Sequence, residues 1–123
     1  MPSEYEIDVA NRLVRARAWG VLTHADLMAT LMGIRNDPAF RPDFCQLYDL
    51  REALPSAMSA ENVRDLASYS NFGFGSRRAL IAANDAVFGL SRIYASYRQV
   101  IGKEQIAVFR SLADAQAWLA EKD

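Results

Sequence analysis

The chain of 123 residues carries one cysteine, Cys45, and one histidine, His24. A single cysteine excludes an intramolecular disulfide framework and fits a reducing compartment. One histidine and one cysteine cannot build a metal cluster of the usual spacing, so no metal ligand is assigned. Charge of one sign is not in excess either: 14 Lys and Arg stand against 15 Asp and Glu, a net charge of -1. That leaves no electrostatic footprint for nucleic acid or an anionic membrane. The N-terminal MPSEYEIDVANR has no apolar signal region, and no apolar run is long enough to cross a bilayer. No membrane span and a cytoplasmic location are therefore expected. Also missing are a Gly-x-Ser-x-Gly elbow, a Gly-Lys-Ser/Thr phosphate loop, internal repeats, low-complexity tracts and linkers. These absences predict one domain over residues 1–123, with no catalytic residue and no cofactor.

What remains is an ordinary globular composition, 51% hydrophobic and 24% charged, with a clear pattern along the chain. Tyr5, Ile7 and Val9 alternate with Glu6 and Asp8, the period of a half-buried strand. Val14, Ala16 and Ala18 alternate with Arg15 and Arg17. The two runs predict a hairpin turning near Asn11-Arg12, wider than a tight primed turn because Arg12 suits such a turn badly. Setting Asp8 opposite Arg15 and Glu6 opposite Arg17 pairs opposite charges and is favoured over the register with Asp8 opposite Leu13. Thr23 then caps a helix on the stripe Leu27, Leu31 and Ile34, with Met28 and Met32 beside it, ending at Asn36-Asp37-Pro38. Phe44–Leu50 reads as a strand, and REALPSAM as a loop. Ser59 caps a second helix, with Val63, Leu66, Ala67 and Ser70 on one face. ALIAA, from Ala79, is a continuously apolar strand, as in a parallel sheet. A third helix follows on the stripe Val87, Leu90, Tyr94, Tyr97 and Ile101, stopped by Gly102. IAVF is a last strand. Ser111 and Asp114 open a last helix whose inner face is Ala115, Trp118 and Leu119.

The order is β-β-α-β-α-β-α-β-α. It predicts an α/β fold: a single open, mostly parallel five-stranded sheet with an N-terminal β-hairpin and four helices.

The stretch NFGFGSRRALIAAN invites a phosphate-loop reading, which its place in the chain excludes. A phosphate cradle follows a strand and opens a helix; this stretch follows a helix and enters a strand. Arg78 also stands where a dinucleotide pattern wants a third glycine. Gly73 is read as the positive-φ stop of the second helix, Gly75 as shaping the turn, and Phe72 and Phe74 as packing residues. Ligands of open α/β folds sit outside the carboxyl ends of the strands. The polar groups expected there are Asp49, Arg51, Ser56, Ser59, Asn84, Asp85, Arg110 and Ser111. Asn84 or Asp85 and Ser111 double as helix caps, and Arg51 with Asp49 as a surface ion pair. A second candidate is the face carrying Tyr94, Tyr97 and Arg98. It is read as core with polar tips, or as the wall of an apolar pocket where Arg92 or Arg98 meets an anionic head group. The candidate ligand-binding set is thus Asp49, Arg51, Asn84, Asp85, Tyr94, Tyr97 and Arg98. His24 is read as an exposed bystander and Cys45 as an inert thiol.

Three stretches carry a resemblance: RARAWGVLTHADL, FCQLYDLRE, and RRALIAANDAVFGLSRIYASY followed by IAVFRSLADAQAWL. Together they resemble the anti-sigma-factor-antagonist (STAS) fold, and more closely its STAS-like or SpoIIAA-like relatives of unassigned function. The resemblance implies a small, non-enzymatic α/β domain. It implies a protein-interaction or regulatory module with a protein partner or self-association. The structural link of some relatives to CRAL-TRIO-type lipid carriers implies the alternative, a carrier or sensor of a small apolar or lipid-like ligand. STAS regulators are phosphorylated on a serine of an Asp-Ser-Ser-Gly motif. Here EALPSAMSAEN has Ser56 and Ser59 without those neighbours, so no phosphosite is assigned.

Overall fold

The computed structural model describes residues 3–54 and 58–121. The elements are β1 (Ser3–Asp8), β2 (Leu13–Val21), α1 (His24–Asn36), β3 (Cys45–Leu54), α2 (Ala60–Ala67), β4 (Arg77–Ile81), α3 (Asp85–Ile101), β5 (Gln105–Phe109) and α4 (Leu112–Ala120). They form one five-stranded sheet in chain order, β1-β2-β3-β4-β5. β1 is antiparallel to β2, and all other pairings are parallel. Crossovers of one hand that step the same way across a sheet lay their helices on one face. So α1, α2 and α3 lie side by side, and α4, which follows the edge strand β5, covers the other face through Ala115, Trp118 and Leu119 against Ala79 and Ile81.

Each helix begins on a side-chain cap. Thr23, Ser59, Asn84 and Ser111 accept from amides within the first turn, and Ser59 with Asn62 completes a reciprocal capping box. A cap of this kind contributes about 1 kcal/mol, enough to fix where each crossover starts.

The hairpin adopts the register that sequence charges disfavoured. Asp8 stands opposite Leu13, Glu6 opposite Arg15 and Glu4 opposite Arg17. The loop is four residues wide, with Arg12 at φ 53. Asp8 closes it, accepting from the Asn11 amide (3.1 Å) and side chain (2.8 Å). Arg15 still reaches Asp8 diagonally at 2.9 Å. A long guanidinium does not need direct opposition, so charge pairing could not select the register.

β3 continues through Arg51–Leu54, where a loop was expected. An irregularity lets it do so: Arg17 pairs with Asp49 and Trp19 with Glu52, so β3 carries one extra residue. Leu50 and Ala53, an odd distance apart, are consequently both buried under the helices. α2 ends at Ala67, five residues before Phe72, so Gly73 is not its stop; the positive φ belongs to Gly75, at +85. Phe72 is buried as expected, but Phe74 is 75% exposed. The buried stripe of α3 is Val87, Ser91, Ala95 and Arg98. Ile101 is left exposed.

Candidate functional site

The helix-covered face is not filled. Beneath α1, α2 and α3 lies a cavity of about 100 Å³. Its wall is apolar along most of its length, with Leu22, Leu50 and Met58 toward the carboxyl ends of the parallel strands, and Val63, Leu66 and Leu80 in the middle. Toward the amino ends it meets Phe72, Gln46, Arg78 and Tyr94. Among the described residues no Asp, Glu, His or Cys lines it.

The polar end is anchored by a buried ionic cluster. Arg78 is the second residue of β4 and points under the helices; its guanidinium is enclosed by Gln46, Glu104, Tyr94 and the Phe72 ring. Nε donates to Gln46 Oε1 (2.9 Å), Nη1 to Glu104 Oε2 (2.9 Å) and Nη2 to the Tyr94 hydroxyl (2.9 Å). Its carbon lies 4.6 Å from the centre of the Phe72 ring. Arg98 in the last turn of α3 takes both oxygens of the same glutamate, at 3.0 and 2.9 Å, and donates to the Ala67 carbonyl at the end of α2 (2.8 Å). Two guanidinium groups thus share one carboxylate whose side chain is 0% exposed. Burial alone would raise the Glu104 carboxyl, but Arg98 and Arg78 outweigh it and hold it below its ordinary value. Burial works against the Arg78 cation, and Tyr94 and Glu104 offset that, so it stays charged. Deeper along the wall, Tyr48 meets Ser3 (3.0 Å), which meets Thr30 (2.6 Å). Burial pushes the Tyr48 phenol up.

The sequence-predicted residues do not converge. Tyr94 is on the cavity wall. Arg98 is off the wall, bonded to Glu104 and the Ala67 carbonyl, and Tyr97 faces Arg64 (3.4 Å). Arg92 is exposed, and Met28 and Met32 are off the wall. Asp49 and Arg51 lie on the opposite sheet face as a two-bond pair (2.9 and 2.7 Å), and Arg51 is the chief reason the Asp49 carboxyl titrates below its ordinary value. Asn84 is the α3 cap, and the exposed Asp85 holds Arg110 (2.6 Å). Ser59 and Ser111 are caps; Ser56 lies outside the described residues. The expectation that polar groups would gather at the carboxyl ends is therefore corrected: those groups diverge, and the charged end of the cavity lies at the amino ends, beside Phe72. In the Gly73–Ser76 turn two amides serve the fold: Gly73 donates to Pro42 and Ser76 to Gly73. His24 is not a bystander; its Nε2 meets Asp65 at 2.7 Å and ties α1 to α2.

Sequence reasoning missed Arg78, Gln46 and Glu104. The available signal was a charged residue at the second position of RRALI, next to a run of fully buried strand residues.

No family model matches the chain, and no curated protein matches it. A solved structure does: an uncharacterized protein of the DUF3478 family with a SpoIIAA-like fold, from Shewanella loihica PV-4. The two superpose with a TM-score of 0.60 over 96% of this chain and 94% of that one, at 20% sequence identity. The chain has a SpoIIAA-like, STAS-like fold. Among the described residues no helix is long and apolar enough to cross a membrane, and no group of three or more His, Cys, Asp or Glu could hold a metal ion.

Proposed function

We propose that this chain holds a small, largely apolar ligand beneath α1, α2 and α3, and acts as its carrier or sensor rather than as an enzyme. The observation that carries this reading is the cavity. Protein interiors pack at the density of organic crystals, and a void of about 100 Å³ costs roughly 2 kcal/mol when left open. Apolar cavities of about 150 Å³ take up benzene; this one suits a ligand of about four to six heavy atoms. Its wall offers hydrogen-bond donors but no described nucleophilic cysteine, carboxylate or imidazole, which favours binding over chemistry. Native mass spectrometry of the purified chain tests the reading. A bound small molecule is expected, or saturable uptake of 1-butanol by empty protein; neither adduct nor uptake would remove it.

A second reading is a protein-interaction or regulatory module. It rests on apolar side chains left in solvent: Val100 and Ile101 end α3, and Phe74 lies near Lys103 just beyond it (5.3 Å). Light scattering during size-exclusion chromatography checks it. A dimer dispersed by Val100→Asp supports this reading; a monomer at all concentrations counts against self-association.

A further inference from the structure

We infer that the ligand is a short-chain monocarboxylate whose carboxylate is received by Arg78, Tyr94 and Gln46, with its chain along the Leu50, Leu66 and Leu80 wall. This rests on the ligand-binding reading above and adds the chemical class. The argument is a count of donors. A guanidinium has five N–H donors, and three of those on Arg78 are taken by Gln46, Glu104 and Tyr94. The other two have no acceptor among the described residues. Tyr94 accepts from Arg78, so its own O–H proton remains to be donated. Gln46 must turn its carbonyl oxygen to Arg78, since a guanidinium only donates. That fixes the side-chain amide, and its NH₂ is left without an acceptor among the described residues although Gln46 is only 2% exposed. Three neighbouring groups therefore offer donors at one end of an apolar cavity whose wall holds no anion among the described residues.

Charge selects among acceptors. Arg98 uses both oxygens of Glu104, while Arg78 shares one of them. The cluster is one positive charge in excess, and a buried charge is costly unless paired. A ligand carboxylate balances it and takes up the spare donors through charge-assisted bonds. An ammonium would add a like charge to a cluster already in excess by one cation. A neutral amide would satisfy donors but leave the excess charge.

The test is an NMR titration of the full chain with three near-isosteres, butanoate, butanamide and butylamine, at constant ionic strength. The inference expects butanoate to bind at least tenfold tighter than butanamide, with butylamine weaker still. Arg78→Gln leaves Arg98 and Glu104 as a neutral pair and should abolish the preference for butanoate over butanamide. Tyr94→Phe, which removes one hydroxyl, should weaken butanoate about tenfold. Butanoate no tighter than butanamide in the unmodified protein would overturn the assignment of a carboxylate while leaving a neutral ligand in place. Binding of none of the three, together with no uptake of 1-butanol, would overturn the ligand-binding reading itself.

Discussion

Arg98 and Glu104 face each other across the end of α3, joined by bonds of 3.0 and 2.9 Å that use both carboxylate oxygens. The pair ties the last turn of α3 to the residue that enters β5, and through Ala67 it reaches the end of α2. Removing the shared anion leaves two buried guanidinium groups without a counter-charge. Glu104→Gln is therefore expected to cost about 3–5 kcal/mol in urea unfolding. Asp49→Ala, which breaks a pair at the surface, should cost about 1 kcal/mol or less.

The same carboxylate sets an acid limit. Its pKa is lowered in the folded chain, so its contribution is complete above the unfolded value of about 4.3. The contribution is lost as pH falls through the lower folded value. Unfolding free energy should therefore decline below about pH 4.3, and part of that decline should vanish in Glu104→Gln. An identical acid slope in the two proteins would contradict the assignment.

Gly102 makes room for the clamp. Its φ is -94, so no left-handed backbone requires a glycine. A Cβ there would instead collide with Glu104 Oε1 and Arg98 Nη2 and approach the Arg98 carbonyl to 2.7 Å. Gly102→Ala should destabilise by about 1–3 kcal/mol. Its effect should be less than additive with Glu104→Gln, because both disturb one contact.

In the hairpin, Asp8 is held down to about 2, first by the Asn11 side chain and then by Arg15. NMR titration should place its midpoint far below an ordinary aspartate. Asn11→Ala should move it back toward 4, more than Arg15→Ala does.

Where local rules act alone, the sequence was readable. Thr23, Ser59 and Ser111 sit at helix starts because a short polar side chain there satisfies free amides, and the alternation of strands and helices leaves few topologies. Where two local rules compete, it was not. The register of β1 on β2 depended on a four-residue loop with Arg12 at φ 53, and opposite charges fit either alignment. β3 ran on through Arg51–Leu54 because of an extra residue that period-2 patterning cannot anticipate. The site was least legible. Asp49, Arg51, Asn84 and Asp85 are polar residues with local partners, whereas Gln46, Arg78 and Glu104 come together only through the pairing of β3, β4 and β5. Of the tyrosines on α3, Tyr94 reaches the cavity and Tyr97 does not.

The most direct measurement is a methyl NMR titration of the full chain with 1-butanol. Saturable shifts are expected at Leu22, Leu50, Met58, Leu66 and Val87, which line the cavity. Ile81, Leu112 and Leu119, packed under α4 on the other face, should stay still. Shifts spread evenly over both faces, or none, would contradict a binding cavity beneath the three helices.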